Sequence, residues 1–178
     1  MDNQQAKVTD IEIGWVVGLI DGEGSFFLNG RNHKGDRPHT RKYQITPFIH
    51  IVNQSIPILN KLTDILDRLE LAYYVQWNES HRRTGQFTRY TWILWVAGFK
   101  RIERFLNMFQ PYIVGKSKQA DVLRDFINSR KEQLKGNSNS SYTEEEIGMI
   151  DKIKTLNNTQ GQSDVPQRLH ARQRVLIS

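Results

Sequence analysis

Cysteine is missing from all 178 residues, and its absence excludes disulfide frameworks, thiolate zinc sites and cysteine nucleophiles. Any metal must therefore sit on oxygen or imidazole. No apolar run approaches the ~20 residues that span a bilayer, and the stretch from Met1 to Asp10 lacks the basic-then-apolar profile of a signal peptide. The expectation is a soluble intracellular chain, in a prokaryotic cytoplasm or an organelle matrix, neither secreted nor in contact with a membrane. Acid is also in the minority, with 19 Asp and Glu against 25 Lys and Arg and a net charge of +6. That balance fits a polyanionic partner, since fixed cations gain by displacing counterions from a phosphate backbone, although it fits ordinary solubility as well.

A chain with 38% hydrophobic residues can bury one good-sized core plus an appended segment. Thr9 or Asp10 can cap a helix whose apolar face runs from Ile13 to Ile20 and ends in the stretch Gly22 to Gly24. Ser25–Leu28 and Tyr43–Val52 have strand character, joined by a polar arm (Asn29 to Lys42) with five Lys or Arg. Ile58, Leu59, Leu62, Ile65, Leu66 and Leu69 recur at helical spacing, which predicts a helix over Ile56–Glu70. A second hairpin follows, Tyr73–Asn78 and Phe87–Ala97, turning through His81, Arg82, Arg83 and Gly85. Ile102 to Phe109 reads as a short helix closed by Pro111, and Lys116–Leu134 as a longer one. Gly136–Tyr142 is linker-like, Thr143–Leu156 is a last helix, and beyond Asn157 lies a polar tail with Arg168, Arg172 and Arg174. The order predicts an α+β fold with a four-stranded antiparallel sheet, divided into a core over 1–135 and an appendage over 136–178. No internal repeat is present: Val96-Ala97-Gly98 echoes Val17-Gly18, but Lys100 stands where an acid is needed.

The most informative stretch runs from Ile13 to Ser25. Gly14, Gly18 and Gly22 fall four apart on one side of the first helix, where each interior glycine costs about 1 kcal/mol relative to alanine. Two arrangements repay that loss: close approach of a second helix, or tight packing on the molecule's own sheet. Asp21 and Glu23 sit at the helix C-terminus, where the macrodipole disfavours a carboxylate, so acids there call for a cation unless they are simply solvated. If two such helices meet, four carboxylates converge and a hard divalent ion on oxygen ligands, Mg²⁺ before others, is the natural partner.

The nine residues Val16-Val-Gly-Leu-Ile-Asp-Gly-Glu-Gly24 resemble the motif of the LAGLIDADG homing endonucleases and related maturases, with valine for its first leucine and for its alanine. A second stretch, Gln110-Pro-Tyr-Ile-Val-Gly-Lys-Ser-Lys-Gln-Ala120, resembles the family segment leading into its later helix. The resemblance spans about residues 10–134. It implies an αββαββα core with a DNA-gripping saddle sheet, acting as a homodimer because one motif is half of an active pair. It further implies Mg²⁺-dependent double-strand cleavage of a long pseudo-palindromic site with short 3′ overhangs, Mn²⁺ substituting.

By the same resemblance Glu23 is the metal ligand, assisted by the Gly22 carbonyl. Asp21 falls among the metal-site acids, though its family role lies nearer to support of the helix end. Lys116 matches a basic residue near the scissile phosphate, with Lys118 as the neighbour that could replace it or contact DNA. Asn53 or Gln54 is the expected water-positioning residue, and either serves equally well as a helix N-cap. The dimer interface would use Gly14, Trp15, Val17 and Gly18.

Basic residues gather in the hairpins, whereas the helices carry mixed charge. Two-stranded ribbons fit the major groove, where Arg pairs with guanine and Asn or Gln with adenine. Asn29, Arg31, Arg41, Tyr43, Gln44, Gln76, Asn78, Arg82, Arg83 and Arg89 are therefore the DNA-contact candidates, each equally able to meet phosphate or solvent. His50 near Asn53 and His33 beside Asn32 loosely suggest a histidine-based nuclease site, but no second histidine follows at ligand spacing. A non-cleaving DNA regulator or an RNA-splicing maturase bound to intron RNA is the second function class, and the arginine-bearing tail is the feature that supports it.

Overall fold

The computed structural model describes residues 7–32, 43–81, 87–135 and 141–159. Its elements run α1 (Asp10–Glu23), β1 (Gly24–Asn32), β2 (Tyr43–Asn53), α2 (Ile56–Arg68), β3 (Tyr74–His81), β4 (Phe87–Ala97), α3 (Phe99–Phe109), α4 (Ser117–Leu134) and α5 (Glu144–Thr159), with a single 3₁₀ turn at Gln110–Tyr112. The sheet is antiparallel throughout, in the order β1-β2-β4-β3. No helix among the described residues is long and apolar enough to cross a membrane. The expected αββαββα order is present, followed by a fifth helix.

Strand alternation assigns one sheet face to the core. Phe26, Leu28, Ile45, Ile49, Ile51, Trp92, Leu94 and Val96 are buried there against the helices. Each helix turns an apolar stripe to that face, for example Leu59, Leu62, Ile65 and Leu66 of α2. Trp92 is fully buried, and its indole N–H donates to the Ser55 carbonyl at 3.0 Å, which satisfies the one polar atom the ring carries inward.

Several boundaries run past the sequence expectation, β2 to Asn53 and α5 to Thr159 among them. β1 runs to Asn32 and β3 to His81, because the ladders continue through Asn29–Thr46 and Arg31–Gln44 on one side and Glu79–Tyr90 and Ser80–Arg89 on the other, by backbone hydrogen bonding that no hydrophobic pattern announces. α3 begins at Phe99, directly after Gly98, whose φ of 94° turns the chain off β4.

Two helices open on the same device. Thr9 caps α1 in a capping box with Glu12, and Thr143 does so for α5 with Glu146, hydroxyl and carboxylate each accepting the other residue's amide. In both boxes the glutamate also binds a distant arginine. Glu12 pairs with Arg68 of α2, and the paired hydrogen bonds from Arg68 and from the Thr9 amide hold the Glu12 carboxyl at about 2. Glu146 pairs with Arg130 of α4 at 3.2 Å, both side chains essentially inaccessible, while Ser129 donates to its other oxygen and the guanidinium lies 4.3 Å over the Tyr142 ring. Tyr142 in turn accepts from the Ile45 amide at 3.0 Å, on a stretch of β2 that β4 does not reach, and the Asn157 amide donates to Phe26 at 2.8 Å. The last helix therefore braces its own chain, packing on β1 and α4.

Breaking a buried ion pair from one side leaves an uncompensated charge, so Glu146→Ala should lower unfolding free energy by roughly 3–5 kcal/mol in urea titration. The double replacement Arg130→Met with Glu146→Leu should cost much less. The depressed Glu12 carboxyl stabilises the fold above its unfolded value of 4.5, and that contribution is lost as pH falls toward about 2. Glu12→Gln should accordingly flatten the acid limb of the stability curve over that window, as followed by circular dichroism.

Candidate nucleic-acid interface and catalytic centre

The C-terminus of α1 carries no basic residue in its last turn, so its final carbonyls need donors from elsewhere. They receive Lys116. Its ammonium, 6% exposed, donates to the Ile20 carbonyl at 3.1 Å and to the Asp21 carbonyl. Asp21 answers in the opposite sense: its carboxylate accepts from the amides of Val114 and Lys116 at 3.0 and 3.1 Å. Burial pushes the Lys116 pKa down, while Asp21 and Glu23 pull it back up. Gly24 closes the helix by donating its amide to Ile20, and a Cβ there would stand 2.6 Å from that carbonyl oxygen, so only glycine fits the turn into β1.

This geometry separates two acids that the sequence placed together. Both oxygens of Asp21 accept from backbone amides, an arrangement that supports the helix end. Glu23 is exposed, two residues further on, in a shallow groove lined by Val52, Asn53, Gln54, Arg89 and Thr91. Asn53 accepts from the Gln54 and Ser55 amides at 2.7 and 2.9 Å, so its carbonyl oxygen is occupied in the turn before α2. Gln54 is exposed in the same groove. Lys116 stands behind the helix end, its contacts being carbonyls, and Lys118 is exposed on the first turn of α4, away from the sheet.

The outer side of α1 carries the glycine stripe in the open. A Cβ built at Gly14, Gly18 or Gly22 meets nothing within 4 Å, which rules out packing of these glycines on the chain's own sheet. Ile11, 85% exposed, continues that stripe, and Trp15 is half-buried with the Lys61 ammonium 4.6 Å over its ring. Val17 departs from the expected interface: it points inward and is 7% exposed, because it falls on the core side of the helix with Val16 and Ile20.

Among the described residues no helix covers the second sheet face. Register places Asn29, Arg31, Gln44, Gln76, Asn78 and Arg89 on it, in agreement with the outward orientation expected for them. The strands contribute no acid to this face among the described residues, Glu79 standing on the opposite side with Trp77. Arg41, Arg82 and Arg83 lie outside the described residues, as do the Tyr43 side chain, His33, and the arginines of the tail.

Between the polar ends of this face lies a feature that residue-type reasoning passed over. Phe27, Phe48, His50, Tyr74 and Trp95 form a continuous aromatic cluster across all four strands. Its signal was present in the alternation, since each of these residues has the parity opposite to the buried set. His50 is absorbed there, half-buried with its ring edge-on to Phe27 and Trp95, and burial lowers its pKa so that it is neutral at pH 7. Among the described residues no three His, Asp or Glu side chains gather as a metal site.

Comparison with known proteins agrees with this architecture. Several solved structures share the fold. The homing endonuclease I-CvuI, crystallised with an I-CreI target in the presence of Mg, matches with a TM-score of 0.57 at 19% identity over 82% of each chain. The homing endonuclease I-TnaI matches at 0.51 and 18% identity, covering 83% of this chain and 99% of that one. The group I intron-encoded homing endonuclease I-CeuI, complexed with DNA, matches at 0.53 and 13%, covering 74% and 61%. No curated protein sequence matches. The LAGLIDADG endonuclease family model matches residues 16–129, which includes the second half of α1, the whole sheet and most of α4. The chain belongs to the LAGLIDADG endonuclease family.

Proposed function

We propose that this chain is a site-specific double-strand DNA endonuclease that acts as a homodimer on a long, nearly palindromic target, using Mg²⁺ (with Mn²⁺ able to replace it) and leaving short 3′ overhangs. The observation that carries this reading is the placement of Glu23: an exposed carboxylate at the exit of α1, flanked by an open glycine stripe on one side and, on the other, an arginine-bearing sheet face without acids among the described residues. Pairing two α1 helices through Gly14 and Gly18 brings two such carboxylates together, and a C₂ pair doubles the sheet face into a two-half-site reader.

The donor set fits a hard divalent ion. Glu23 and the Gly22 carbonyl offer only oxygen, which suits Mg²⁺ or Ca²⁺, and among the described residues no third acid or histidine joins them. When bound, such an ion lowers the pKa of water and stabilises the leaving oxygen. The chain's own part is positional. Arg89 and Thr91 border the Glu23 groove and orient the backbone phosphate there, Gln54 reaches the water side, and the Asp21–Lys116 lock fixes where Glu23 emerges. In the hydrolysis the water oxygen bonds to phosphorus as the P–O bond to the departing strand breaks, the water gives up one proton to solvent, and the departing oxygen takes one from solvent. The homing endonucleases I-CvuI and I-CeuI, which share the fold, were solved in complex with DNA, and this supports a DNA partner.

The leading test is cleavage of a randomised duplex library in Mg²⁺ by wild type and Glu23→Gln, followed by sequencing of new ends. Wild type should yield a nearly palindromic site, and Glu23→Gln should lose at least a hundredfold in rate while still binding it. Cutting by Glu23→Gln at the wild-type rate would end the assignment, and structured-RNA binding without DNA cleavage would favour a maturase. Asp21→Asn should separate support from chemistry: a lower melting temperature with an unchanged Ca²⁺ titration of the DNA complex. Gly18→Leu should convert the dimer to a monomer by light scattering, and an unchanged mass would refute helix pairing through this stripe.

A further inference from the structure

The aromatic cluster on the open sheet face has no counterpart among the polar groups that read base edges by hydrogen bonding, and it is large for a solvent-facing surface. Its position is specific. Moving outward from the Glu23 groove, the face presents Arg89, then Thr91 with Asn78, then Ile93 with Val52 and Gln76, then the row Tyr74–Trp95–His50–Ser25, then Phe48 with Phe27, and only then Asn29 with Thr46 and Arg31 with Gln44. Hydrogen-bonding side chains thus stand at both ends with an apolar middle. From Phe48 to Val52 the strand advances about 13 Å, which is about four base-pair steps at ~3.4 Å each.

The occupant follows from the charge and from the rings. Arg31 and Arg89 flank the cluster and no acid from the strands shares the face among the described residues, so a nucleic acid is the complementary partner. The rings are not arranged as a stacking platform for splayed bases. Phe27 and Phe48 stack on each other at 4.9 Å and 15°, and Tyr74 lies parallel to Trp95 at 5.9 Å and 4°. Their faces are spent on their neighbours across the strands, which leaves apolar edges toward the groove. Such edges suit the one apolar group a base pair presents in the major groove, the thymine 5-methyl. His50, kept neutral by its surroundings, adds an apolar body rather than a charge.

Resting on the endonuclease reading, we propose that the middle of each half-site is recognised through thymine 5-methyl groups packed on Phe27, Phe48, Tyr74 and Trp95, while the hydrogen-bonding readout is confined to the inner and outer ends. The target is then thymine-rich at three or four consecutive middle positions of each half-site, on either strand.

The experiment uses the full chain and the duplex recovered by cleavage selection. Each thymine is replaced in turn by deoxyuridine, which removes only the methyl, and the dissociation constant is measured. At the middle positions each replacement should weaken binding about fourfold, the change expected when about 0.8 kcal/mol of methyl burial is lost. At the outer positions facing Asn29, Arg31 and Gln44 it should leave binding unchanged. Phe48→Asn should bind the thymine and deoxyuridine duplexes alike. The proposal is overturned by a target without thymine in the middle positions, or by equal binding of both duplexes by wild type. Effective competition by single-stranded RNA would overturn it in favour of a base-stacking surface. If no DNA is bound specifically, the endonuclease reading itself fails, an outcome distinct from specific cleavage that ignores the methyl.

Discussion

One ammonium group beneath the end of α1 holds the rest of the site in place. A helix C-terminus presents carbonyls without partners and a negative field, and this one adds two acids within three residues. Lys116 meets the carbonyls from behind, Asp21 returns the interaction to the Lys116 and Val114 amides, and the two segments, 95 positions apart in sequence, become one unit. Gly24 then allows the chain to leave the helix directly into β1. The consequence is a fixed origin for Glu23 and a fixed start for the strand whose outer face continues toward Arg31. Loosening the lock would move both the acid and the register of the reading surface.

The interior is economical with charge. Glu12 and Glu146 each close a capping box and neutralise an arginine on another helix, so one carboxylate ties a helix start to its neighbour. Among the acids of α1, Glu12 is held by Arg68 and Asp21 by backbone amides; Glu23 is left on the groove side. The division explains how a helix with so many acids near its ends keeps its fold and still presents a carboxylate to solvent.

Much of this was legible beforehand, and what was hidden has a common cause. The helices announced themselves through period 3.6, the hairpins through alternation, and the motif from Val16 to Gly24 pointed to the family. What the sequence did not disclose depended on residues meeting across long separations. Arg130, Glu146 and Tyr142 look like ordinary surface residues until α5 folds back on α4 and β1. Lys116 was placed near the chemistry, but its burial against α1 is a tertiary fact. Asp21 and Glu23 are alike by spacing and were told apart only by the family resemblance; the amides that the 114–116 loop supplies to Asp21 are a tertiary fact. The aromatic cluster was within reach: its members alternate with the core residues along each strand, but a search for polar base readers excluded them by residue type.

The glycines of α1 show why these levels cannot be separated. Each costs helix stability, and among the described residues nothing fills the space beyond Gly14, Gly18 and Gly22 to return that cost. A partner helix would, because the missing Cβ atoms permit close backbone approach. In the proposed dimer the inner side of α1 is core, the outer side is interface, and the C-terminal end delivers Glu23. Glycine spacing would then set how near the two carboxylates come, and the Asp21–Lys116 lock how they are aimed. A bulky residue in the stripe should therefore impair cleavage even where folding survives, since metal sharing depends on helix separation to within the length of a side-chain bond or two.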